Sequence, residues 1–196
     1  MATGNQPKFD ESGNVCITFN GEIFNYRELR RELQEKQHRF LTSSDTEVIL
    51  EAWKEWGAGC VTHLSGQFAF VLWDARERML FLARDRMGEK PLYYSFLPDQ
   101  TFIFGSELKA LTRHPDLPRK IDPCAIEEFF ALGYICDPRT IYEGVHKLPA
   151  GHTLTIVRGR APELKQYWDP QPGSNNSKTL DDAANELRAR LGAAVK

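Results

Sequence analysis

The tripeptide Asn20-Gly21-Glu22 places a side-chain amide, an unhindered backbone N–H and a carboxylate on three successive positions. A side-chain amide and the backbone N–H that follows it can point at one oxygen, which is the makeup of an oxyanion hole. Glycine at the second position lets a substrate approach the backbone closely. Glu22 can pair with an ammonium group, and Asp45 in the segment "SSDTE" offers a second carboxylate for the same task. Each residue also has a plain structural reading. Asn-Gly is a common turn, an isolated glutamate is usually solvated, and Asp45 fits the first turn of a helix, where the dipole favours a carboxylate. A third motif, "RDRMGEKPLYY", gathers Arg84, Asp85, Arg86 and Lys90. It reads either as an ion-pair network that fixes a loop or as a seat for an anionic partner.

The remaining chemistry-bearing residues are scattered. Cys16, Cys60, Cys124 and Cys136 form no CxxC pair, and the five histidines have no partner at metal-ligand spacing, so no metal site is expected. The cysteines read as reduced, mostly buried thiols of a cytoplasmic protein. A net charge of −2 gives no reason to expect nucleic acid as a partner. No apolar run approaches the length of a membrane span, and "MATGNQPKFDESGN" has no signal-peptide core.

These residues must be positioned by elements that the periodicity predicts. Val15, Ile17 and Phe19 alternate with Cys16 and Thr18 as in a half-buried strand, which Asn20-Gly21 should end as a turn. Asn25 and Glu28 have capping-box spacing for a helix carrying Tyr26, Leu29 and Leu33 on one face. Ser44 and Glu47 have it for a second helix, which stops at Gly57. Strands are expected at "GQFAFVLWD", "RMLFLARD", "PLYYSFL", "TFIFG", "HTLTIVRG" and "LKQYW", and short helices at "SELKALTRH" and "DPCAIEEFFALG". Asp122 caps the latter, Pro123 opens it and Gly133 stops it. Residues 169–178, "DPQPGSNNSK", read as a linker, followed by an amphipathic helix with Leu180, Ala184, Leu187 and Leu191 on one face. Such a helix cannot bury its stripe alone. It either folds back on the first domain or begins another. The whole reads as an α+β layered architecture.

Taken together and in order, "FNGEIFNYRELRREL", "SDTEVIL", "GQFAFVLWD", "LFLARDRMGEKPLYY", "FGSELKAL" and "FFALGYICDPRTIYEGVHKLPAGHTL" resemble the asparagine synthetase (glutamine-hydrolysing) family. The stretch from "LGYICDPRTIY" to "YWD" is most similar to its exosortase- and exopolysaccharide-associated members. The resemblance implies a class II glutamine amidotransferase domain of the layered N-terminal-nucleophile (αββα) fold. It implies glutamine hydrolysis that supplies ammonia to a synthetase domain, where ATP and Mg2+ activate aspartate or a related carboxylate for amidation. Carried over by position, Asn20 and Gly21 would form the oxyanion hole, and Glu22 and Asp45 would hold the glutamine α-amino end. The resemblance also implies homodimer formation by the parent enzyme.

The family's nucleophile, a cysteine exposed at the extreme N-terminus, has no match here, since the chain begins Met1-Ala2-Thr3. The expectation is therefore a partial amidotransferase domain over residues 1–168 that lacks its N-terminal strands. The linker and the first helix of a missing ATP-dependent synthetase domain, residues 179–196, would follow. No cofactor site is expected in this chain, and the isolated chain is expected to be inactive and, with a sheet edge left unpaired, prone to aggregate. The competing expectation is a non-catalytic amino-acid-binding or scaffold protein that pairs with a separate synthetase.

Overall fold

A computed structural model describes residues 5–170 and 179–195. Two sheets lie face to face. The larger has six strands in the order β1 (Lys8–Phe9), β2 (Val15–Ile23), β3 (Gly66–Asp74), β4 (Met79–Arg84), β8 (His152–Val157) and β9 (Glu163–Gln166). The smaller has three, ordered β6 (Phe102–Gly105), β5 (Tyr93–Phe96) and β7 (Val145–Lys147). Every pairing is antiparallel.

Alternation along the strands decides the layers. Val15, Ile17, Phe70, Leu72 and Phe81 face helices α1 (Tyr26–Glu35) and α2 (Asp45–Trp56), whose Leu29, Leu33, Ile49 and Trp53 complete the main core. Ala69, Val71, Leu82 and Leu154 face the other way and meet Leu92, Leu148 and Phe102 beneath the smaller sheet. On that sheet's outer side Val145 and Ile103 pack with Leu111 of α3 (Leu108–Leu111). The order of layers is helix, sheet, sheet, helix, the α+β arrangement expected.

Three local expectations are corrected. Asn20-Gly21 is not a turn: β2 runs straight through it and stays in register with β3, from Val15 opposite Asp74 to Ile23 opposite Gly66. Two glycines permit this close crossing. A Cβ on Gly21 would sit 2.1 Å from the Gln67 oxygen, and one on Gly66 would sit 2.1 Å from the Glu22 oxygen. Asn25 does not cap α1. Its amide instead reaches the loop before β3, accepting from Ser65 N and donating to the His63 oxygen, which ties the start of α1 to that loop. The cysteines are less buried than expected. Cys60 is fully enclosed and its thiol is pushed up to about 12 by burial, but Cys16 and Cys136 are half-buried and Cys124 is exposed.

The second capping box forms only in part. Ser44 Oγ accepts from Glu47 N, while the Glu47 carboxylate turns to the amides of Leu41 and Thr42. Strands β1 and β7 were not legible in the sequence. The helix α4 (Pro123–Leu132) matches its signals, with Asp122 accepting from Cys124 N and Gly133 left-handed at the stop. Most of the 169–178 linker, residues 171–178, lies outside the described residues. Beyond it α5 (Leu180–Ala194) opens with a reciprocal capping box between Thr179 and Asp182 and buries no residue.

Candidate functional site

The site is built at the C-terminal end of β2. Asn20 and Glu22 lie on the strand face that looks toward the smaller sheet, and both are exposed. The Asn20 amide donates to Ser106 Oγ at 3.3 Å, just past the end of β6. It lines a cavity of about 270 Å³ with Thr18, Ala69, Val71, Phe104 and Ser106. That volume is close to the lower end for small-ligand pockets, about 300 Å³.

Antiparallel pairing alternates which backbone groups face the neighbouring strand. Phe24 N donates to the Ser65 oxygen, so the even-numbered residues of β2 face β3 and the odd-numbered ones face the opposite edge. Phe68, opposite Gly21, confirms this. Its N–H goes to Asp85 Oδ2 and its carbonyl accepts from Asp85 N, both away from β2. The odd edge is then filled group by group. Val15 N donates to Asp10 Oδ1, Ile17 pairs with Lys8 of β1, and Phe19 exchanges two bonds with the Gln6 amide. Ile23 N donates to Asp45 Oδ2 at 3.2 Å. Gly21 stands between the last two, and its N–H has no partner among the described residues. A free backbone donor thus sits beside the Asn20 amide.

The bond from Ile23 N also decides where Asp45 belongs. Asp45 opens α2, and its Oδ1 accepts from its neighbour Thr46 N at 2.8 Å, as a first-turn carboxylate should. The other oxygen crosses to the strand residue next to Glu22. The two carboxylates that sequence spacing left 23 positions apart are drawn to one end of the sheet. Glu22 makes no ion pair among the described residues.

Two charges of the "RDRMGEKP" segment, Arg84 and Asp85, are spent inside the protein. Asp85 is buried and accepts from four backbone amides, those of Phe68, Met87, Glu89 and Lys90, at 3.0 to 3.1 Å. The Arg84 guanidinium donates to the carbonyls of Gly88, Lys90 and Leu148 and to Asp137. Of the two readings of this motif, the structural one holds for both residues.

Two residues at the site escaped the sequence reading. Gly66 opens the predicted strand "GQFAFVLWD", and an isolated glycine there is itself a signal of close backbone approach. Ser106 stands in the predicted helix start "SELKALTRH", where nothing local points to Asn20. No cysteine lines the cavity among the described residues. Cys16 lies four residues from Asn20 on β2, about 13 Å along the strand, and burial raises its thiol above the ordinary value. Among the described residues no cluster could hold a metal ion, and no helix is long and apolar enough to cross a membrane.

The family described as a glutamine amidotransferase domain matches residues 1–168. The chain belongs to this family. Asparagine synthetase [glutamine-hydrolyzing] 3 of Bacillus subtilis is 38% identical over 180 residues, covering 91% of this chain and 29% of the relative. Asparagine synthetase [glutamine-hydrolyzing] 1 of the same organism is 39% identical over 169 residues, covering 86% and 26%. The chain therefore spans less than a third of the length of these curated relatives and corresponds to their glutamine-hydrolysing domain. Among solved structures, the glutamine phosphoribosylpyrophosphate amidotransferase of B. subtilis, complexed with ADP and GMP, superposes with a TM-score of 0.57. It is 20% identical, covering 83% of this chain and 32% of that one, and it shares the fold.

Proposed function

We propose that the end of β2 binds glutamine and stabilises the oxyanion formed when its side-chain amide is attacked. The single observation that carries this is the unpartnered Gly21 N–H beside the Asn20 amide on an otherwise filled strand edge. In this reading the Asn20 Nδ2 and Gly21 N–H donate to the developing oxyanion, and Glu22 and Asp45 hold the α-ammonium. Asp45 is aimed by Ile23 N, and Asn20 by Ser106. Ammonia leaves when the tetrahedral intermediate collapses, and a synthetase domain like those of the relatives consumes it to amidate aspartate or a related carboxylate. ATP and Mg2+ belong to that domain, and the parent enzyme is a homodimer in the cytoplasm.

The nucleophile is a separate matter. Cys16 is too far along the strand to attack an amide held at Asn20, and its raised thiol is a poor thiolate source. We infer that the 196-residue chain binds the amino acid without hydrolysing it. This also keeps open a binding-only role beside a separate synthetase.

Nuclear magnetic resonance with 15N-labelled chain tests the site directly. Titration with glutamate or glutamine should shift the Gly21 amide and the Asn20 side-chain amide, with millimolar affinity, about −4 kcal/mol. Glu22→Ala and Asp45→Ala should each remove the shifts. Shifts confined to another part of the molecule would overturn the site. Release of ammonia that Asn20→Ala abolishes would leave the site standing and overturn only the inference about the nucleophile.

A further inference from the structure

A second cavity opens at the other end of β3 from the Asn20 site. It holds about 550 Å³, within the range of small-ligand pockets. Trp73 of β3, Leu80 of β4 and Ile156 of β8 lie side by side across the larger sheet, because Trp73 pairs with Leu80 and Leu80 with Ile156. Phe102 of β6 lines it from the smaller sheet. Leu80, Ile156 and Phe102 pack on the core beneath that sheet, so the floor is fixed, while the Trp73 side of the cavity is open, with Trp73 42% exposed. Arg78, in the β3–β4 turn, and Arg158, just past β8, stand in the lining as well.

Charge and hydrogen bonding say what such a cavity takes. Arg78 and Arg158 flank the last pair of the β4–β8 ladder, Met79 opposite Val157, so two guanidinium groups share one rim. Neither has an ion pair or hydrogen bond among the described residues. Nearby carboxylates leave them uncompensated. Asp74 is spent on Arg76 and Trp53, Asp99 on Thr101, and Glu77 in the turn forms no ion pair among the described residues. Like charges side by side repel, and an anion between them removes the repulsion. Arg78 also holds a left-handed backbone, φ +49°, that glycine would adopt more easily. The polar side-chain groups of the lining are donors only, since guanidinium and indole N–H groups cannot accept. A fitting ligand therefore carries acceptors and negative charge at one end. Its body is apolar, because polar atoms buried against Leu80, Ile156 and Phe102 would go unpaired. Two of the apolar walls are aromatic, which favours a flat ring over an alkyl chain.

We propose that this cavity binds an aryl carboxylate, its ring system against Trp73 and Phe102 and its carboxylate between Arg78 and Arg158. Trp73 is four residues from Ala69, which lines the Asn20 cavity, about 13 Å along β3. The site is separate from the one read as binding glutamine and does not depend on that reading.

Titration of the 15N-labelled 196-residue chain with 2-naphthoate tests this. The indole N–H signal of Trp73, assigned with Trp73→Phe, should shift and saturate, while those of Trp53, Trp56 and Trp168 stay in place. Arg78→Gly and Arg158→Gln should each weaken binding about tenfold. Glycine suits the left-handed position, so the denaturant midpoint of Arg78→Gly should not fall, which separates lost binding from a lost fold. The uncharged 2-naphthylmethanol should bind at least about tenfold more weakly than naphthoate. An unmoved Trp73 signal would overturn the proposal. So would undiminished binding of naphthoate in both arginine variants, or of naphthylmethanol in the unaltered chain. Decanoate binding as tightly as naphthoate would overturn the aryl assignment, and a Trp73 signal that moves with protein concentration alone would assign the face to a second copy.

Discussion

Two charged motifs on opposite sides of the same end of β3 were equally ambiguous as sequence, and the fold treats them oppositely. At the "RDRMGEKP" loop every lone pair of Asp85 and most donors of Arg84 are used by nearby backbone. At Asn20-Gly21-Glu22 two of the three groups are left over among the described residues: Glu22 is exposed without an ion pair, and the Gly21 N–H is passed by while its neighbours along the edge are all engaged. The lesson concerns how to separate a site from a scaffold. Burying a charge requires that its hydrogen bonds be made inside the protein, so a satisfied buried carboxylate is structural, whereas a rigidly placed but unsatisfied group is available for a ligand.

The contrast predicts a graded series of effects. Asp85→Ala should be the most damaging, because four backbone amides lose their acceptor together. A loss of about 4 kcal/mol in denaturant unfolding is expected, and a loss under about 1 kcal/mol would break the comparison from the structural side. Gly21→Ala should come next. Its Cβ would press on the Gln67 carbonyl at a φ of +150°, and about 3 kcal/mol of strain is expected, read as a lower denaturant midpoint.

A pH-dependent effect sharpens the comparison at a third polar cluster. The two ring nitrogens of His38 face Glu51 Oε2 at 2.8 Å and Glu55 Oε2 at 3.0 Å. A neutral imidazole can donate to only one of them. Burial opposes the charged ring, but the hydrogen bonds to Glu55 and Glu51 outweigh it and hold His38 above the ordinary imidazole range. Because the folded state binds this proton more tightly than the unfolded chain, the clamp contributes fully below about pH 6.5. Its contribution is lost as pH rises through the raised folded-state value. Melting curves should show Tm falling across that window, and His38→Gln should flatten the profile. Unlike Asp85, this group is satisfied only in one protonation state.

The smallest effect on stability belongs to the site itself. Glu22→Ala should change the unfolding free energy by less than about 0.5 kcal/mol, as for exposed substitutions generally, while removing the amino-acid-induced shifts at Gly21. If Glu22→Ala instead destabilised the chain as much as Asp85→Ala, the distinction between spent and available groups would collapse.

The sequence alone determined most of the strands whose apolar residues alternate, the α+β layered class, and the ends of α4 at Asp122, Pro123 and Gly133. Each of these depends on residues within a turn or two of one another, where side-chain spacing and backbone propensity act directly. It also brought Asn20, Gly21, Glu22 and Asp45 forward as candidates, though only through the order of several motifs. Tertiary structure decided the rest. That β2 continues through Asn20-Gly21 depends on Gly66, far along the chain. That Asn25 serves a loop and not its own helix depends on Ser65 and His63, and that Asp85 is structural depends on Phe68 and the amides around it. The cause is the same each time: a group takes the partner or the space that packing brings next to it, and what stands next to it is settled by strands and loops brought together from distant parts of the chain.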